Sequence, residues 1–576
     1  MFQSISFGAL KTSTLQTISR FQWVLGLVLG RSILMVWRIE SQHQSPGYRD
    51  VLDKLILVLL LACPLMIGIS LAAERTSSRF RSKLLGFLAL SVILLTYYFF
   101  GINAKPSLID YYRFGILFLA AHLLVAYAPF LNYRESNGFW QFNKALFLQF
   151  LNATLYAVTL YIGLMVAVQT VRFLFNIEYL FEIEADVAVL ILSFFHSVFF
   201  LSKIPTDLAA LDLETAYPKG LKIFTQYVLL PLEIVYLVIL YAYTGKILLE
   251  WSLPSGGVAY LVLAFSVAGI FALLLLYPLR QVLTERWIVL FSRRFYLALL
   301  PLLILLFVGI LRRINDYGIT ENRYIVVTLA LWLAALALYF LFSRRKEIIW
   351  IPISLSLICV FLVLGPWNIF EVSEKSQLKT FQRLVVNHQL LNTEGVITHQ
   401  ATLPADDYEQ LLSIVDYFRD RDTTVLASYF PQPTDNKLAS RYDQHQYLLK
   451  KIANQNTPFQ EFTYSVGPKA LMDIEGFSTL LSFNTSIDVP LETEGWKITM
   501  HQNKLLVARQ GQQVLTCDLP QKIQSLNQTY GDENNMVPPS QLTFNGVWRG
   551  HPIRVSIESI HQSNQKQIIA SGYLLY

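Results

Sequence analysis

The chain has 576 residues, 54% of them hydrophobic and 15% charged, with a mean hydropathy of +0.44. A soluble domain carries about a quarter charged residues, so the composition excludes an ordinary soluble protein. The net charge of +6 is uneven: residues 1–370 hold 29 Lys+Arg against 19 Asp+Glu, and residues 371–576 hold 17 against 21. Two regions in different solvents are expected, a helical one (1–370) and a folded C-terminal one (371–576). The basic excess sits in loops between apolar runs, where it orients a membrane protein and does not form a nucleic-acid patch.

A spanning helix needs roughly 20 mostly apolar residues. Eleven such segments are read in chain order: 19–38, 54–73, 84–104, 113–131, 145–171, 187–203, 223–248, 257–279, 295–312, 323–343 and 347–367. The first runs through Arg31 to MVWRIE without a small-residue cleavage site and reads as a retained anchor. With the N-terminus in the cytoplasm, the cytoplasmic segments hold 18 Lys and Arg and the opposite loops 9. That bias predicts a cytoplasmic N-terminus, and an odd number of spans puts the C-terminal region outside.

In that region, DDYEQLLSIVDYFRDR (406–421) places Tyr408, Leu411, Leu412, Val415 and Phe418 on one helical face, with Asp406 or Asp407 as the cap. Further on the period becomes two. Trp496, Ile498 and Met500 alternate with Lys497 and Thr499, and Ile553, Val555 and Ile557 with Arg554 and Ser556. Turn-like HQNK and RQGQQ separate KITM, LLVA and VLTC, the pattern of a meander. The expected fold is a mainly α membrane bundle followed by an α+β extracytoplasmic domain, helices first and strands last.

Three strings, YPLR (277–280), DYGITENRY (316–324) and GPWNIFEVSEKSQL (365–378), keep an order and spacing that resembles a family of bacterial polytopic membrane proteins known as domain of unknown function four-one-five-three. The resemblance takes in nearly the whole chain. It implies a bacterial cytoplasmic membrane and supplies no catalytic residues.

Ionisable groups at bilayer depth are costly and mark candidate sites. Arg31 lies in the first span, His122 in the fourth and His196 in the sixth. Glu233 lies mid-span, two residues after Pro231, which removes a backbone donor and loosens the turn before it. In the fifth span Gln149, Asn152, Tyr156 and Thr159 form a polar stripe that Gly163 extends. These residues are read either as a polar pathway with Glu233 as proton or cation site, or as hydrogen-bonding glue with Glu233 neutral or paired with Arg31. In DYGITENRY, Thr320 suits an N-cap, Glu321 the first helical turn, and Gly318 a tight reversal. Tyr317 and Tyr324 suit the interface belt. Asp316, Glu321 and Arg323 are the outer-loop candidates for contact with the C-terminal domain or a headgroup.

Three cysteines (Cys63, Cys359, Cys517) and scattered histidines give no metal-ligand spacing. No Walker or GxGxxG motif points to a nucleotide, so no cofactor is expected. The partners expected are the bilayer and an envelope protein bound through the C-terminal domain. The readings are an envelope sensor or scaffold, a transport component, or a membrane enzyme acting on lipid-linked envelope precursors. For the enzyme, the first outer loop offers Glu40, Asp50 and Asp53.

Overall fold

The computed structural model describes the chain except residues 1–6, 76–78, 132–135, 176–180, 215–216, 251–256, 282–285, 399–400, 431–443, 445–447, 449–451, 455–461, 467–473, 475, 486–490, 494, 531–534 and 563–567. It divides into two compact units: Met1–Gln382 with Asp420–Asp422, and Arg383–Arg419 with Thr423–Tyr576.

The first unit is helical. After α1 (Phe7–Glu40) come α2 (Pro46–Ala73), α3 (Phe80–Gly101), α4 (Leu108–Phe130), α5 (Ser136–Phe175), α6 (Glu182–Ser202), α7 (Lys219–Glu250) and α8 (Val258–Leu275). Then follow α9 (Arg286–Tyr317, apolar from Arg294), α10 (Glu321–Phe342), α11 (Trp350–Val363) and α12 (Ile369–Asn387). Among the described residues nine helices, α2 to α10, are long and apolar enough to cross a membrane. Eleven spans are expected from the sequence, and α1 and α11 are not among these nine for physical reasons. Helix α1 carries Arg20, Arg31 and Arg38 within its apolar run. Helix α11 has 14 residues, about 21 Å at 1.5 Å per residue, short of a hydrocarbon core of about 30 Å. One core cluster, with Phe21, Met66, Phe130, Phe142, Leu299 and Leu333 fully buried, ties α1 to α10 together.

Three helices widen into π-turns, at Tyr97–Gly101, Val189–Phe195 and Thr225–Leu229. The third lies directly before Pro231, which cannot donate to the preceding turn. A π-turn interrupts the regular backbone ladder, and two of these turns lie beside candidate residues.

Helix α12 crosses the division between the units, at Gln382. Beyond it, α13 (Ala405–Arg419) buries Leu411, Ile414, Val415 and Phe418. Asp407 does not cap this helix; its Oδ2 lies 2.9 Å from His388 Nε2. Strands β1 (Ala401–Leu403) and β2 (Ile452–Asn454) pair in parallel. Six strands form one sheet: β3 (Phe462–Val466), β4 (Leu480–Asn484), β9 (Asn535–Val537), β10 (Thr543–Trp548), β11 (His551–Gln562) and β12 (Ile568–Leu575). Their order is β4-β12-β11-β3-β9, with β10 also on β11. The expected meander is the second sheet, β5 (Leu491–Thr493), β6 (Trp496–His501), β7 (Lys504–Arg509) and β8 (Gln512–Asp518), antiparallel in sequence order. Its hairpins turn at Gln502–Asn503 and Gln510–Gly511, all with positive φ, as two-residue turns of the primed type require. Helix α14 (Leu519–Tyr530) interrupts the strands, so helices do not all come first.

Candidate functional site

The loop between α9 and α10 is held by α12. Gly318 has φ +75°, and a Cβ there would lie 2.7 Å from Thr380 Oγ1, so both its backbone conformation and the proximity of α12 require glycine. The amide of Ile319 donates to Ser376 Oγ at 2.8 Å, and Gln377 Nε2 donates to the carbonyls of Tyr317 (3.2 Å) and Ile319 (2.8 Å). Arg323 Nη1 donates to Tyr317 O (3.1 Å) and Gly318 O (2.6 Å). Tyr324 Oη donates to Trp367 O at 3.0 Å. Asn368 starts α12 by accepting the amides of Phe370 and Glu371 on its Oδ1 at 3.1 and 3.0 Å. The strings DYGITENRY and GPWNIFEVSEKSQL are thus two halves of one hydrogen-bonded clamp.

Glu321 completes the clamp. It is 8% exposed, and Arg421 grips it through Nε–Oε1 (2.9 Å) and Nη2–Oε2 (3.1 Å). Such a bidentate, charge-assisted pair fixes orientation as well as charge. Both residues belong to the first compact unit. Asp316 pairs with Arg312 at 3.5 Å on an exposed face. Thr320 occupies the N-cap position with extended φ/ψ, but its side chain makes no cap hydrogen bond.

Within the spans, the candidates separate. Arg31, 8% exposed, donates from Nε to Ser193 Oγ (3.1 Å) and from Nη2 to Ser193 O (2.9 Å) and Ser197 Oγ (3.3 Å). The π-turn of α6 presents that carbonyl, and Ser32 Oγ lies 3.0 Å from Ser193 Oγ. No ion pair joins Arg31 to Glu233, so the pairing considered from the sequence is not formed. Glu233 is 4% exposed, and its Oε2 has no hydrogen-bond partner among the described residues. A Cβ on Gly269 would lie 3.3 Å from that oxygen and 2.2 Å from the Phe295 ring. The missing side chain at Gly269 lets α8 close on the carboxyl beside an aromatic wall.

The residues of the α5 stripe do not share one environment. Gln149 is buried and donates to Phe199 O at 3.1 Å. Asn152, Tyr156 and Thr159 are exposed, while Ala153 and Ala157 occupy the buried face. His196 Nε2 lies 3.2 Å from Thr154 Oγ1, and His122 Nδ1 2.8 Å from its own helix at Phe118 O. On the face Glu233, Tyr236, Leu240, Tyr243, only Glu233 and Leu240 are buried. Asp53, in the second turn of α2, is engaged by Arg38 of α1 through both oxygens, at 2.7 and 3.2 Å. Among the described residues, no group of three His, Cys, Asp or Glu could hold a metal ion.

Ser376, Gln377, Thr380 and Arg421 were not singled out from the sequence. One signal was present: Ser373, Gln377 and Thr380, all buried, recur at i, i+4 and i+7 on the otherwise charged helix α12.

Residues 28–393 match the model of a family described as Domain of unknown function (DUF4153). The matched stretch takes in both halves of the clamp and stops before the sheets. An uncharacterized protein of Pasteurella multocida (strain Pm70) is 26% identical over 389 residues, covering 64% of this chain and 63% of its own length. The chain therefore aligns with less than two thirds of that relative. No solved structure matches the chain.

Proposed function

The chain belongs to the family described as Domain of unknown function (DUF4153), and on that premise we propose that it is a multi-pass protein of the bacterial cytoplasmic membrane that acts as an envelope sensor or scaffold. The observation that carries this reading is the clamp. A short loop between two spanning-length helices is fixed by seven hydrogen bonds, counting only those from Ile319, Arg323, Gln377 and Arg421. Helix α12 supplies part of that grip and continues by covalent connection into the second unit. A helix so anchored is suited to passing a displacement to α9 and α10.

The orientation rests on the excess of Lys and Arg in alternate loops. The side of each terminus depends on whether α1 and α11 also cross. For α1 the internal satisfaction of Arg31 supports crossing, because a charge hydrogen-bonded to neighbouring helices is tolerated at depth. A phosphatase fused after Tyr576 is expected to be active and one fused after Lys83 inactive; the reverse pattern would refute the orientation.

Glu233 supports a second reading, a transport component. A buried carboxyl without a partner, beside a π-turn, is the arrangement a proton- or cation-exchanging site uses. The two readings part in one experiment. In a strain lacking the protein, the scaffold reading expects Glu233→Gln to restore the phenotype and Gln377→Leu to fail at normal abundance. The transport reading expects the opposite.

A further inference from the structure

We infer that the cavity at the α10–α11 turn is a binding site for the phosphate headgroup of an anionic phospholipid. The cavity measures about 350 Å³, and among the described residues its charged lining is Arg344, Arg345 and Lys346. Tyr277, Tyr296 and Phe340 form its walls, and the last two rings stack with centroids 4.9 Å apart at 8°. On the other side of the turn, Arg345 also lines a second cavity of ≈ 480 Å³ with Phe139, Tyr339 and Trp350.

Three features fit a lipid phosphate and not merely a solvated turn. First, these cations are not neutralised. Elsewhere Arg20 pairs with Glu74, Arg38 with Asp53 and Arg312 with Asp316. Among the described residues Arg344, Arg345 and Lys346 have no carboxylate partner and no acidic side chain lines the cavity between the rings, while Glu347 lines the second cavity. Second, the turn is pinned. Glu347 N donates to Tyr339 Oη at 3.0 Å and Arg345 N to Ser343 Oγ at 3.3 Å, and Lys346 takes a positive φ of 47°. The charges are therefore presented from a fixed backbone. Third, the turn follows a 22-residue apolar helix directly, at the depth where headgroups lie, and basic pockets between spanning helices there attract anionic lipids. The aromatic walls suit the glycerol and first methylenes of such a lipid, which inorganic phosphate lacks.

The inference rests on the placement of these helices in a bilayer proposed above. The test uses the full chain in nanodiscs of phosphatidylcholine with or without phosphatidylglycerol, and counts lipid retained after detergent extraction by native mass spectrometry. Preferential retention of phosphatidylglycerol is expected. The variant Arg344→Gln/Arg345→Gln/Lys346→Gln should weaken retention about fivefold per cation removed, the ratio that corresponds to about 1 kcal/mol per basic residue near a surface. The variant Arg344→Lys/Arg345→Lys should keep most of it. Equal retention of the two lipids by the unmodified chain overturns the site, whether or not the triple variant folds. So does a triple variant that elutes normally and retains phosphatidylglycerol unchanged. Displacement by inorganic phosphate as effective as by added phosphatidylglycerol would assign the site to a soluble anion and overturn the lipid. A chain that does not enter nanodiscs at all would overturn the membrane placement itself, a result distinguishable from each of the others.

Discussion

Two buried carboxylates in spanning-length helices meet opposite fates. Glu321, at the start of α10, is gripped through both oxygens by Arg421, and the loop before it is tied to α12. Glu233, in α7, has an oxygen with no partner among the described residues and lies close to Gly269 of α8. Burial alone therefore does not identify a working group. What separates the two is whether the protein itself compensates the charge. A compensated carboxylate is part of the architecture, and its removal is felt as lost stability. An uncompensated one contributes little to stability, so its retention calls for another role or for a permanently neutral form.

The largest effect is expected at the compensated site. Arg421→Leu leaves Glu321 buried without its partner and should cost about 3 kcal/mol in detergent melting, because breaking one member of a buried pair exceeds the cost of removing both. Glu321→Gln combined with Arg421→Leu should recover most of that loss. Melting that is unchanged in Arg421→Leu would erase the contrast with Glu233. Next, Gly318→Ala forces a side chain into a left-handed backbone conformation and against Thr380, and should destabilise by about 1–2 kcal/mol. An effect no larger than that of an exposed loop substitution would show that α12 does not hold the loop. Smaller still, Glu233→Gln should shift melting by less than about 0.5 kcal/mol, since no hydrogen bond to its Oε2 is lost. A large loss there would reveal a partner for Glu233 and make the two carboxylates alike.

A half-buried carboxylate in the second unit sharpens the scale. Asp518 is held below the usual carboxylate range, first by its hydrogen bond from Lys504 and then by the Gln521 amide at the start of α14. Its folded value lies below the unfolded value of about 3.9. Its stabilisation is therefore complete above that value and is lost as pH falls through the lower, folded one. Because the pair is solvated, the effect should be a few tenths of a kcal/mol. Comparing the melting of the intact protein with that of Asp518→Asn between neutral and acidic pH measures it, and a gap that widened on acidification would reverse the sign.

What was legible in the sequence follows the range of the interaction. Gly318 reads as a reversal, Thr320 as a helix start and Pro231 as a weakened turn because each acts on its own backbone. The hairpins of the four-stranded meander read from HQNK and RQGQQ for the same reason. Nine of the eleven segments read as spans are long apolar helices among the described residues, because hydropathy is summed over neighbours. The partner of Glu321 lies 100 residues away, and nothing in DYGITENRY announces Arg421. In α5, helical spacing fixes which residues share a face, not which way the face points: Ala153 and Ala157 turn inward and Tyr156 outward. Arg31 was legible as costly, but its compensation by Ser193 depends on a π-turn that spacing does not reveal.

The claim that the clamp is part of the working mechanism is tested most directly by reversing its charges. Glu321→Arg, Arg421→Glu and the double reversal would each be assayed for complementation in a strain lacking the protein, with membrane abundance measured in parallel. The account predicts that each single reversal fails to complement while still present in the membrane, and that the double reversal complements. Single reversals that complement fully at normal abundance would contradict it.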